Sequence, residues 1–175
     1  LGGELMARIS LIQPGEAEAS AKRIMENMQK QFGVVIDPVK ALAHKPDFLR
    51  SLLSLTTVAD GPGEIDAGFK EVLNIRASAL NGCEFCTTMH SNMAKMHKVA
   101  AEKIAGAVDG SASDAFDEKE KAALALCEAS TSGVKVSDAV FDAARAHYSE
   151  AQVVELLGVI AVINMWNRLM VGMGF

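Results

Sequence analysis

Aromatic side chains make up only 5% of this 175-residue chain, proline occurs four times, cysteine three times, and no basic run occurs anywhere. Each shortage excludes something. Three unevenly spaced cysteines cannot supply the framework of a disulfide-stapled secreted domain, so a reducing, cytoplasmic setting is expected. Seventeen basic against 22 acidic residues leave a net charge of −5. Without a basic stripe there is little to displace counterions from a phosphate backbone, so nucleic acid is not an expected partner. The most apolar stretch, LLGVIAVI at 156–163, is bounded by Glu155 on one side and by Asn164, Asn167 and Arg168 on the other. A bilayer span needs roughly 20 mostly apolar residues. The stretch is therefore read as a buried or interface helix, and no membrane association is expected. The opening LGGELM lacks the charged-then-apolar pattern of a signal peptide; residues 1–5 read as an added remnant ahead of a natural start at Met6.

What the chain does have is helix-forming material. Half of its residues are hydrophobic, with nine methionines and abundant alanine, side chains that lose little freedom in a helix. Ala21, Ile24, Met25, Met28 and Phe32 recur at helical spacing and Gly33 stops them. A short helical turn is expected from Asp37-Pro38 to Ala43, and a stronger helix from Pro46. After the Gly-Pro-Gly break at 61–63, helices are expected from Glu64 to about Leu80, from near Cys83 to about His97, and over 99–107. Asn81-Gly82 suits the end of the first of these, since both residues tolerate left-handed backbone. Beyond a linker at 109–114 follow helices at 117–131, 137–147 and 150–171. No window alternates with period two, so the fold class is all-α. The expected organisation is one domain over 6–175, with N-terminal helices at 6–63, a Cys-x-x-Cys core at 64–108 and C-terminal helices at 115–175. A weak internal echo pairs Ile65-Asp66 and Lys70-Glu71-Val72-Leu73 with Phe116-Asp117 and Lys121-Ala122-Ala123-Leu124. It allows two degenerate helical repeats, and chance similarity between amphipathic helices explains it equally well.

The chemistry concentrates in NGCEFCTTMH, residues 81–90. On a helix Cys83, Cys86 and His90 share a narrow stripe, with Cys86 and His90 one turn apart. Cys83 falls at the helix start, where unpaired N–H groups and the dipole stabilise a thiolate. Three readings stay open on these residues alone: redox chemistry, a zinc site and inert packing. Zinc lacks a fourth ligand, because His97 lies two turns beyond His90 and no second Cys-x-x-Cys exists. Glu71 sits on the preceding helix beside Ala67, Gly68, Asn74 and Ile75, with Ser78 a turn further on. That small, half-polar stripe would let the cysteine helix fold back against it and bring a carboxylate to the thiol or imidazole.

Glu71, eleven intervening residues, then Cys83-x-x-Cys86-x-x-x-His90 resembles the signature of the AhpD-like alkylhydroperoxidases, within the carboxymuconolactone decarboxylase superfamily. KALAHKPDFL, EVLNIRASALNGCEFC and the late NMWNRL are similar to the family as well. The resemblance implies an AhpD-like helical bundle that assembles into homo-oligomers, commonly trimers or hexamers. It implies Cys86 as the peroxidatic cysteine, Cys83 as the resolving one, and Glu71 and His90 as proton carriers. The substrate would be an organic hydroperoxide. The reductant would be a dithiol of lipoyl or thioredoxin type, with a peroxiredoxin as a further partner, and no cofactor or metal is implied. Phe85 departs from the best-known peroxidase branch, which has a histidine before the second cysteine, and this leaves thiol–disulfide exchange beside peroxide reduction. A non-redox decarboxylase-like enzyme and a zinc-binding or redox-sensing module are the alternatives from other classes.

Other chemically suggestive residues have plainer readings. Cys127 lies among Ala123, Leu124 and Leu126 and reads as a buried inert thiol. Met89, Met93 and Met96 form an apolar stripe for core or subunit interface. His44 and His147 fall near helix ends. Asn164, Asn167 and Arg168 read as buried polar contacts, with a subunit interface as one setting for them.

Overall fold

The computed structural model describes residues 7–110 and 114–175. The expected remnant at 1–5 and the middle of the expected linker lie outside them. Nine helices and no strand occur among the described residues: α1 Ala19–Phe32, α2 Asp37–Leu42, α3 Pro46–Asp60, α4 Ala67–Leu80, α5 Glu84–Met96, α6 Ala101–Asp109, α7 Glu118–Gly133, α8 Asp138–Arg145 and α9 Glu150–Met173. They divide between two units, one made of residues 7–57 with 172–175, the other Val58–Val171.

In the first unit α1 buries Ala21 and Met25 on the face that the periodicity marks, and Gly33 at φ +75° closes the helix by donating to the Gln29 carbonyl. Phe32, expected on the same face, is the last residue of the helix and is 64% exposed. Pro38 opens α2, where a missing N–H costs nothing. His44 bonds Ser10 rather than capping a helix.

The second unit is organised around α4, which packs against α5, α6 and α7. Val72, Leu73, Ile75 and Ala77 are buried on it, each large apolar side chain contributing about 1.5–3 kcal/mol by leaving water. The helix begins at Ala67, three residues later than the spacing predicts. Asp66 caps it by accepting from the Phe69 amide at 3.0 Å. The Glu64 and Ile65 amides are held outside the helix by the Glu155 carboxylate, at 2.8 and 3.4 Å. The internal echo extends to this cap, since Asp117 starts α7 in the same way, with a full capping box to Glu120. Gly82, at φ +67°, turns the chain from α4 into α5; Asn81 stays right-handed. Helix α9 is long and apolar enough, by length and composition, to cross a membrane. Its polar residues bond to α7 and to α4 and its cap, as described below, and Leu156, Val159, Ile160 and Ile163 are buried on it.

Candidate thiol site

Cys83 and Cys86 are joined by a disulfide, with Cα atoms 5.3 Å apart. Cys83 is the N-cap of α5, and its sulfur accepts the Cys86 amide at 3.3 Å. The Cys83 amide reaches back to the Ser78 carbonyl at 3.0 Å. Both cysteines are buried, at 0% and 2% exposure. In the reduced form the same N-terminal amide and the helix dipole favour a thiolate at this end of α5.

One turn along α5, His90 meets Glu71 from α4, Nδ1 to Oε2 at 2.6 Å, with both residues buried. With Glu71 charged, Nδ1 carries the hydrogen of that bond. Nε2 is then the ring nitrogen free to take or release a proton. The four residues singled out in the sequence thus gather on the facing sides of α4 and α5, as a sulfur pair and a carboxylate–imidazole pair. No group of three or more His, Cys, Asp or Glu side chains among the described residues is arranged to hold a metal ion.

The turn carrying the cysteines is fixed from behind by an amide network. Asn81 Nδ2 donates to Asn164 Oδ1 at 3.0 Å and to Asn167 Oδ1 at 2.9 Å. Asn167, fully buried, donates to Ser78 Oγ, and Asn164 to Thr131 Oγ1. Arg168, exposed rather than buried as expected, donates to the Asn164 carbonyl and side-chain oxygen. These contacts are therefore made within one chain, and they hold the approach to Cys83.

Four further polar side chains are bonded in pairs on and around α4, Asp60 with Asn74 and Lys70 with Glu155. Asp60, the last residue of α3, accepts from Asn74 Nδ2 at 3.2 Å. Lys70, 1% exposed, ion-pairs with Glu155 at 2.6 Å and donates to the carbonyls of Ala59 and Gly61, at 3.0 and 2.7 Å. It grips the backbone on both sides of Asp60. Burial lifts the Asp60 carboxyl above its ordinary range; the Asn74 bond and the charges of His90 and Lys70 oppose this, and Glu71 adds to it. Burial also pushes Glu155 upward, but the bonds from Lys70, Glu64 and Ile65 outweigh it and hold the carboxyl low. Cys127 stands apart: its thiol donates to the Leu73 carbonyl at 3.7 Å, and burial pushes it up to about 12. Of the methionine stripe, Met96 is 80% exposed and so is not core.

Residues 46–129 match the carboxymuconolactone decarboxylase family. The uncharacterized protein YdfG of Bacillus subtilis is 36% identical over 107 residues, covering 60% of this chain and 73% of that one. The chain belongs to this family. A solved protein of unknown function from Agrobacterium tumefaciens, described as a candidate antioxidant defence protein AhpD, is 28% identical. It has a TM-score of 0.71 over 75% of this chain and 91% of that one. The AhpD core of a peroxidase-related protein from Ralstonia eutropha superposes with a TM-score of 0.86 over 96% of this chain and 90% of that one; at 19% identity it shows the fold alone. The family takes its name from a decarboxylase, and AhpD-like members share the helical architecture seen here.

Proposed function

We propose that the chain is a thiol-dependent oxidoreductase that reduces organic hydroperoxides through Cys83 and Cys86. The observation that carries this reading is the buried Glu71–His90 pair one turn from Cys86. A structural disulfide has no need of a carboxylate-backed imidazole, whereas a thiol that must lose a proton before attack does. In the proposed cycle His90 takes the proton of the Cys86 thiol. The thiolate attacks the terminal oxygen of R–OOH, the O–O bond breaks, and the leaving alkoxide takes a proton to give R–OH and Cys86–SOH. The Cys83 thiol displaces water to form the disulfide, and an external dithiol is oxidised as it restores the pair. Phe85, between the cysteines, carries no proton, so proton handling falls to Glu71 and His90.

The reductant in this reading is a lipoyl or thioredoxin-like dithiol, a peroxiredoxin is a further partner, and the protein acts as a cytoplasmic homo-oligomer. The test is consumption of cumene hydroperoxide with a dithiol donor. Cys86→Ser should abolish it and Cys83→Ser should stop it after one turnover. Peroxide consumption by the Cys86→Ser variant at the parent's rate would exclude the reading. Phe85 favours a second outcome, pure thiol–disulfide exchange, in which the pair cycles with a dithiol but ignores peroxide.

A further inference from the structure

Glu71 and His90 are 3% and 5% exposed and the cysteines less. The hydroperoxide cycle proposed above requires the pair to gain and lose protons at different steps. Solvent barely touches it. Four ionisable residues, Asp60, Glu64, Asp66 and His97, line a cleft beside α4, and of these Asp60 bonds a buried side chain of that helix. Asp60 lines a cleft of about 630 Å³ together with residues 61–67 and His97. Behind it, Asn74 binds its carboxylate, and Asn74 stands one turn beyond Lys70 and Glu71 on α4.

We propose that Asp60 is the residue through which the buried Glu71–His90 pair exchanges protons with solvent. It acts through that pair and does not touch the peroxide, so it is a positioning and proton-exchange residue for the reaction proposed above, on which this inference rests. The charged groups acting on it are Lys70 and Glu71 from α4 and His90 from α5, Glu64, Asp66 and His97 line the same cleft, and Glu155 from α9 pairs with Lys70. The attraction between Asp60 and His90 and the repulsion between Asp60 and Glu71 are mutual. Positive charge gained at the pair therefore favours the carboxylate form of Asp60.

Two features suit Asp60 to both protonation states. Lys70 grips the backbone carbonyls before and after it, so the carboxyl keeps its place whether charged or neutral. Asn74 is 1% exposed, and its Oδ1 has no partner among the described residues. The amide gives Nδ2 to the carboxylate; turned by half a rotation, it offers Oδ1 to the protonated acid.

The test follows oxidation of the fully reduced protein by cumene hydroperoxide across pH, in the parent, Asp60→Asn, Asp60→Ser, Glu71→Gln and His90→Asn. Asp60→Asn and Asp60→Ser should slow oxidation roughly 10-fold to 100-fold, within or below the span of a lost acid–base group, and should flatten one limb of the pH profile. Formate, small enough for the cleft, should restore the rate of Asp60→Ser in proportion to its concentration while leaving the parent and Glu71→Gln unchanged. Rates and profiles like the parent's in both Asp60 variants overturn the inference. So does a slowing that formate fails to relieve in a variant that melts like the parent. If Glu71→Gln and His90→Asn also oxidise as fast as the parent, the thiol-site reading itself falls; if only the Asp60 variants do, that reading stands and this inference alone is lost.

Discussion

Replacing Lys70 by methionine keeps the length of the side chain and removes its charge. Three bonds disappear together: the ion pair to Glu155 and the donations to the Ala59 and Gly61 carbonyls. Removing one partner of a buried ion pair costs about 3–5 kcal/mol, chiefly because the other charge is left uncompensated. The Glu155 side chain is 19% exposed, so water reaches it in part and the lower end applies, about 3 kcal/mol. For a chain of this size each kcal/mol moves the melting temperature by roughly 2–4 °C, giving a drop of about 6–12 °C. Thermal unfolding followed by circular dichroism reads this directly. In the double variant Lys70→Met/Glu155→Gln the orphaned charge is gone while the Glu64 and Ile65 amides keep an acceptor. It should recover about 1–2 kcal/mol of the loss. A single variant that melts within about 2 °C of the parent, less than 1 kcal/mol on that scale, would refute the reasoning. So would a double variant no more stable than Lys70→Met alone.

The remaining expectations concern titration and thiol access. Cys127, pushed up to about 12 by burial, should react with iodoacetamide only after unfolding; fast reaction of this thiol in the folded, reduced protein would contradict its placement. Glu155 has a folded value below its ordinary 4.5, so its stabilisation is present above that pH and fades as the pH falls through the folded value. The gap in melting temperature between the parent and Glu155→Gln should therefore be constant at neutral pH and close in acid. Asp60 has the opposite sign. Its folded value is raised above 3.8, so its contribution is fully present below 3.8 and is lost as the pH rises through the folded value. Asp60→Asn should consequently match or exceed the parent's stability at neutral pH and lose that advantage in acid; a variant clearly less stable than the parent at pH 7 would show that the charge is better accommodated than burial implies.

Much of the scaffold was legible because helical periodicity and caps are local signals. Ala21 and Met25, Pro38 and Gly33 act where the spacing puts them. The errors arose where distant partners decide. Helix α4 starts late because Glu155, some 90 residues away, takes the amides of Glu64 and Ile65. Glu71, Cys83, Cys86 and His90 could be singled out because their spacing implies a shared face across one tight turn. Asp60 could not: before Gly-Pro-Gly it reads as an ordinary helix end, and its partner Asn74 is 14 positions away. Lys70 was hidden by its type, since a lysine inside a helix is expected to be solvated. Its burial depends on the loop carbonyls that fold over it. Asn167 was legible as a buried polar group, whereas Asn164 is half-buried, and their attachment to Asn81 and Ser78 depends on how α9 lies against α4.

The polar content of α4 bears on what the helix is for. Lys70, Glu71, Asn74 and Ser78 are all buried on it, beside Val72, Leu73 and Ile75. A helix whose only task were to fill a core would gain by making those positions apolar, because a buried ion pair often contributes no more than a well-packed hydrophobic substitute. Each of the four instead binds a polar partner. Lys70 fixes the backbone around Asp60, Asn74 holds its carboxylate, Glu71 orients His90, and Ser78 binds both the Cys83 amide through its carbonyl and Asn167 through its hydroxyl. The expected stability of Asp60→Asn at neutral pH expresses the same relation from the other side. A carboxyl that burial disfavours where it sits fits the proton exchange proposed above, and on that proposal its replacement should gain stability only by slowing oxidation of the thiols.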